Sequence, residues 1–400
     1  LISNMKKALL TLTVLAASII TEAQSIWDRV HLEDVRMSLG SPEYRMAFET
    51  LIRQADSLLD AVPLSVMQKE KTPASGDKHD YMSQARYFWP DPASPDGLPY
   101  INRDGYSNPE IYRLDRYPLS ETAGRVTTLA LAYFFTGDEK YSGKAVEFLK
   151  VWFLDEKTRM NPSLEYAQMV PGHNGGKGRQ YGILDTYSFV EMLDAVCLLE
   201  GSAAFRSDDS EALKKWFSEL LEWICTSEQG MAEAATANNH GTAYDAQVIA
   251  FALYSGREDI ARRIIEEFPE KRIFTQIAPD GSQPAELSRT RSYHYSQYNL
   301  AHFIDIFLMS AKLGYDIDGS TSDDGRNFHN ALGFLIPYIS EDGRERWPYE
   351  QIDGFEEVSQ NLCRDLYKTA MYISPEKAEY LSVFNRYGRV EPSDRFFLLF

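Results

Sequence analysis

Apolar residues return every three or four positions through 44–62, 119–135, 138–153, 181–199, 209–227, 241–255, 257–268, 294–314 and 327–339, which predicts a helix in each stretch. The alternation of a half-buried strand is scarce. Short turn sequences separate the helices: "TGDEKY" at 136–141, "LEGSAAF" at 199–205 and "YSGRED" at 254–259. Connections this short predict antiparallel neighbours. Two junctions resemble each other, "LAYFFTGDEKYSGKAVEFL" from 131 and "IAFALYSGREDIARRIIEEF" from 249, each running an apolar helix into Gly, an acidic pair and an amphipathic helix. Such hairpins bury their apolar faces by stacking on one another. Their irregular spacing and long inserts favour a closed ring over a strictly periodic solenoid. The expected fold is all-α: an (α/α) toroid, or incomplete barrel of antiparallel helical hairpins, with long loops over a central cleft.

Three stretches break the pattern. Residues 78–110 are rich in Pro, Gly and aromatics, and a loop of that length in a compact domain is usually functional. Residues 169–182, "MVPGHNGGKGRQYG", are glycine-rich and basic, but the spacing of a phosphate-binding loop is absent around Gly176 and Lys177. What this loop offers is His173, Asn174, Lys177 and Arg179 to wrap an anion. The third stretch, "ATANNHGTAYDAQ" at 235–247, places Asn238, Asn239, His240 and Gly241 where helix propensity would choose none of them. An N-cap explains one Asn; the rest asks for another reason.

Composition narrows the class. The chain has 400 residues, 44% hydrophobic and 25% charged, enough for a large core. Residues 5–23, "MKKALLTLTVLAASIITEA", read as a secretory leader with cleavage after Ala23, leaving 24–400 as one domain and placing the protein in the periplasm or outside the cell. No later segment has the apolar length of a membrane span, and the leader has no cysteine for a lipid anchor. Cys197, Cys225 and Cys363 have no metal-binding spacing and are expected as buried thiols. A net charge of −18 repels nucleic acid and anionic membranes, so a polyanionic ligand needs a local cluster of Arg, Lys, His and amides. A monomer is expected.

Two clusters meet that need. Arg86, Tyr87, Phe88 and Trp89 combine a guanidinium for carboxylates with aromatics that stack on sugar faces. In "SRTRSYHYSQYNLAHF", a helix from Ser292 puts Arg291, His294, Tyr295, Tyr298 and His302 along one side. With Asn239 and His240, this set suits β-elimination in a 4-linked uronic acid polymer. The carboxylate beside the weakly acidic C5 proton must be neutralised, a base must reach C5 and an acid must reach O4. Neither metal nor organic cofactor is needed for these steps.

On "NNHGTAYDAQ" at 238–247, "YMSQARYFWPDP" at 81–92 and "SRTRSYHYSQYNL" at 288–300, the chain resembles the alginate lyase family, polysaccharide lyases built on an (α/α) toroid. The resemblance implies that Asn239, His240 and Arg291 bind and neutralise the uronate carboxylate, with His240 also a candidate base. It implies Tyr298 as proton donor to O4, and as base too in a syn elimination, with Tyr295 competing for that role. Arg86, Tyr87 and Trp89 would lie over the substrate, and His173, Arg179, Tyr181, Tyr244, Arg289 and Tyr295 would contact it. The residues after the Asn-His pair differ from those of the best-known mannuronate lyases of this fold, which leaves the substrate open within polyuronates: mannuronate-rich alginate is expected first and glucuronan or another glucuronic polymer second. A hydrolase using Asp185 and Asp245, or a noncatalytic acidic-glycan binder, are the alternatives.

Overall fold

The computed structural model describes residues 25–400, so the leader expected at 5–23 lies outside the described residues. The described chain is an all-α toroid. Its principal helices are α1 (Arg29–Met37), α2 (Arg45–Leu58), α3 (Arg116–Thr136), α4 (Glu139–Leu149), α5 (Ser188–Cys197), α6 (Ser207–Thr226) and α7 (Glu228–Ala234). The second half adds α8 (Asn239–Tyr254), α9 (Glu258–Phe268), α10 (Ser292–Lys312), α11 (Phe328–Leu335), α12 (Phe355–Lys368) and α13 (Ala378–Tyr387).

The two matching junctions form the expected hairpins, α3 against α4 and α8 against α9. Gly137 ends α3 in the left-handed region at φ 72°, and Asp138 then caps α4 by accepting from the Lys140 N–H. Gly256, at φ 75°, makes the same reversal after α8. Helices α3, α5, α8, α10 and α12 pack successively on one another as the inner wall, and the C-terminal turn Phe396–Leu399 returns to α1 and α2. One hydrophobic core runs through them from Ile26 to Phe400. Helix α8 is buried on nearly every side, as an inner-wall helix must be, whereas α9 buries Ala261, Ile264, Ile265 and Phe268 along a single stripe.

Of these thirteen principal helices the pattern left four unassigned: α1, α7, α12 and α13. It also drew some helices too uniformly. The stretch 181–199 is a tight 3₁₀ run at Gln180–Thr186 followed by α5, and 138–153 ends in a wide π turn at Lys150–Leu154. Strands are short and confined to the long loops. Met82–Gln84 pairs in parallel with Tyr166–Met169, and Phe88–Trp89 pairs antiparallel with Ile101–Asn102, so both inserts lie over one end of the helical ring. The three cysteines form no disulfide; Cys197 and Cys363 are buried and Cys225 partly so.

Candidate active site

At that end a cavity of about 510 Å³ opens between the inserts and the inner helices. The loop after Met82–Gln84 supplies Arg86, Tyr87, Phe88, Asn102 and Asp104; α3 supplies Arg116 from its first position. Gln168 comes from the strand Tyr166–Met169, Arg179 and Tyr181 from the glycine-rich insert and Leu184 from the 3₁₀ run that follows it, Asn238, Asn239 and His240 from the start of α8, and Arg289, His294, Tyr295 and Tyr298 from α10 and the turn before it.

The start of α8 shows why the chain gives up helix propensity at four successive positions. Asn238 is the N-cap, its side chain accepting from the His240 N–H at 3.0 Å. Asn239 is completely buried, and the carboxylate of Glu286 takes both its backbone N–H and its Nδ2, each at 2.7 Å. That fork leaves one amide hydrogen and Oδ1 of Asn239 unengaged by Glu286. His240 Nδ1 lies 2.8 Å from Oε1 of the buried Glu233, which leaves Nε2 to the cavity. Gly241 must be glycine because a Cβ there would stand 2.0 Å from the Thr236 carbonyl and 2.4 Å from Arg272 Nη1. The buried Arg272 occupies that space, donating to the carbonyls of Ala234 and Thr236 and gripping Asp245 at 2.6 and 3.0 Å. A buried ion pair thus clamps the α7–α8 corner and sets where Asn239 and His240 point.

Helix α10 starts where the sequence predicts, and its first turns put His294, Tyr295 and Tyr298 into the cavity wall. Tyr298 packs parallel to the ring of His294 at 5.6 Å and edge-on to His302 at 4.2 Å. Burial pushes the Tyr298 phenol up to about 12, with Arg116 and Arg86 pulling against it. The phenol keeps its proton at neutral pH. Burial, reinforced by Arg291, drives His294 down to about 4, and burial takes His302 down to about 3, so both imidazoles are neutral. The Tyr295 hydroxyl meets that of Tyr87 at 2.9 Å, and the Arg289 guanidinium lies over the Tyr295 ring at 3.9 Å.

Four guanidinium groups line the cavity. Two are paired: Arg116 with Asp185 at 3.0 Å and Arg289 with Asp104 at 2.6 Å. Although burial pushes the Asp104 carboxyl up, Arg289 and Thr290 hold it below the usual carboxylate range. Among the described residues, Arg86 and Arg179 form no ion pair with a carboxylate. Arg179 instead donates to the backbone and side-chain oxygens of Gln168 and lies 4.9 Å from the Tyr181 ring centre. Gln168 itself sits in the left-handed region at φ 50°, held there by bonds from its N–H to Ser83 and from its amide to Asp185. A strained residue fixed from several sides is a mark of a built site. The molecule is acidic overall, but this cavity presents unneutralised positive charge, as a polyanion site requires.

Not every expected residue arrives here. Arg291 lies outside the lining: as the N-cap of α10 it bridges in backbone to Gln351, and its Nε pairs with Asp353 at 2.7 Å. The arginine two positions earlier, Arg289, takes the cavity place instead. Tyr244 is buried within α8 away from the lining. Trp89 donates to the Tyr106 carbonyl, and His173 contacts the Tyr100 carbonyl from an exposed loop. Lys177, from the same loop, pairs with Glu165. Asp185 and Asp245, the carboxylates of the hydrolase alternative, are each a buried counter-charge, for Arg116 and Arg272 respectively. Residues the sequence reading missed include Arg116, Gln168, Asp104, Glu233 and Glu286. The signal of Arg116, Gln168, Asp104 and Glu286 was weak because their partners are distant in the chain, whereas Glu233 lies seven residues before His240 and no helical spacing joins the two across the α7–α8 corner.

The alginate lyase family model matches residues 65–347, which spans every residue of this cavity. A crystal structure of an alginate lyase from Bacteroides ovatus superposes with a TM-score of 0.92 at 47% identity, covering 95% of this chain and 99% of that one. Alginate lyase A1-III from Sphingomonas species A1 shares the fold alone, with a TM-score of 0.52 at 16% identity over 87% of this chain and 93% of its own. A histidine-to-alanine variant of A1-III complexed with tetrasaccharide gives a TM-score of 0.53 at 15% identity over 82% of each chain. No protein of curated function matches the chain. By the family match over most of its length, and by a relative nearly half identical throughout, the chain belongs to the alginate lyase family and is a polysaccharide lyase.

Proposed function

We propose that the protein cleaves 4-linked polyuronates by β-elimination, mannuronate-rich alginate first and glucuronan second. The observation that carries this reading is a phenol that keeps its proton and an imidazole sharing one arginine-lined cavity. Arg86, free of a carboxylate partner among the described residues, and the remaining amide hydrogen of Asn239 meet the uronate carboxylate and draw charge from C5. His240 Nε2 takes the C5 proton. The electron pair left at C5 forms the C4–C5 double bond and expels O4, which receives the Tyr298 proton. Arg179 and Tyr181 hold a neighbouring sugar by charge and by ring stacking.

The leader expected at 5–23 supports an exported enzyme that meets polymer in the periplasm or outside the cell. A hydrolase would need two carboxylates free to flank a glycosidic bond, and Asp185 and Asp245 are themselves buried and engaged with the guanidinium groups of Arg116 and Arg272. The test compares ultraviolet absorbance of the unsaturated product on polymannuronate, polyguluronate and glucuronan. Fastest growth on polymannuronate supports the proposal; reducing ends without absorbance would replace it with hydrolysis.

A further inference from the structure

We propose that Glu233 is a positioning residue that fixes the tautomer of His240, placing the ring proton on Nδ1 so that Nε2 faces the substrate with a lone pair. This rests on the reading of His240 as the base. Glu233 stands near the end of α7, and its side chain is 1% exposed. An ionised carboxylate only accepts hydrogen bonds, so the 2.8 Å contact between its Oε1 and His240 Nδ1 puts a hydrogen on that nitrogen. A neutral ring has one such hydrogen, and Nε2 is then bare. Tyr181 covers the ring at 4.8 Å between centres, limiting its rotation.

The pair is built into the fold. Arg272 bonds the carbonyls of Ala234 and Thr236, the residues that follow Glu233 and lead into α8, while anchoring itself on Asp245. The distance between Glu233 and His240 is therefore set by a buried clamp and not by a mobile loop. When Nε2 takes the C5 proton, the ring becomes a cation beside a carboxylate already in contact with it. Glu233 stabilises the charge as it forms, without accepting the proton itself. A bare Nε2 also divides labour between the two residues at the start of α8: Asn239 donates to the substrate and His240 accepts.

The experiment reads the tautomer directly. Nitrogen-15 NMR of the histidine rings in the unmutated protein, with the His240 signals assigned through His240→Gln, is expected to show Nδ1 protonated and Nε2 bare. Finding the proton on Nε2 would overturn the proposal whether or not any variant folds. In Glu233→Gln, an amide that can present either oxygen or nitrogen to Nδ1 no longer selects one tautomer. We expect mixed His240 signals and a kcat reduced about 100-fold, with KM and Tm close to the unmutated values. A kcat within about threefold of the unmutated enzyme would overturn it, as would a loss of activity that follows a fall in Tm with the tautomer unchanged. Absence of eliminase activity in the unmutated protein would instead sink the proposed function and leave the tautomer result standing.

Discussion

At the scale of single residues, the site turns on opposite treatment of two kinds of side chain. Tyr298 is held protonated by burial, at about 12, while His294 and His302 beside it are held neutral by the same cause. The sign of the pH dependence follows. An acid whose value is raised keeps its proton as pH rises, so kcat/KM shows no alkaline fall until the pH approaches 12. A pH–rate profile with a decline centred below about pH 9, near the range of an ordinary amine or thiol, would contradict that assignment. Much of the cavity lining was legible in the sequence, since Asn239, His240 and Tyr298 all reach it. The arginine was not. Arg289 and Arg291 lie two positions apart just before α10, and no spacing rule says which faces inward; the backbone bridge to Gln351 and the pairing with Asp353 turn Arg291 out.

At the scale of elements, the α7–α8 corner shows packing serving chemistry. Gly241 leaves room for Arg272, and Arg272 holds the corner that aims Asn239 and His240. Gly241→Ala must displace either the Thr236 carbonyl or the guanidinium. It is expected to lower stability by about 1–3 kcal/mol, measured by urea denaturation, and to reduce kcat/KM through the moved imidazole. A fully stable, fully active Gly241→Ala would show that the corner does not depend on this clamp. The sequence revealed that something displaced helix propensity here but not what, because the cause, Arg272, lies some thirty residues further along the chain.

The contact of α10 with α12 makes a second prediction at this scale. Burial raises the Asp365 carboxyl to about 7, against the pull of Lys368, the bond from Gln297 and the charge of Arg364, with Asp305 adding to the rise. Because the folded value lies above the unfolded one, Asp365 contributes stability that is complete below about pH 4 and is lost as pH rises through about 7. Asp365→Asn removes that loss. Its Tm is expected to exceed the unmutated value by about 4 °C near pH 8 and to vary less between about pH 4 and 7. Thermal melts across that range check it, and a destabilised variant at pH 8 would contradict it.

At the scale of the whole molecule, the hairpin pattern of the sequence was enough to expect a ring of helices, because short turns and apolar stripes leave few other ways to bury the core. What it left out were contributions that depend on closure. Helix α12 completes the inner wall beside α10, and the C-terminal turn packs on α1 and α2. In the roof, the parallel pairing of Met82–Gln84 with Tyr166–Met169 joins segments some eighty residues apart that closure of the ring brings together. The same closure reconciles a chain of net charge −18 with an acidic substrate, since it gathers Arg86, Arg116, Arg179 and Arg289 at one end.

In the reaction proposed for this end of the toroid, a polyuronate is eliminated across its C4–C5 bond with Tyr298 as the proton donor. The most direct measurement is ultraviolet absorbance of polymannuronate incubated with the protein lacking residues 1–23, alongside Tyr298→Phe. A steady rise is expected for the unmutated protein and a rate at least about 100-fold lower for the variant, with binding of the polymer retained. A comparable rise from Tyr298→Phe would contradict it.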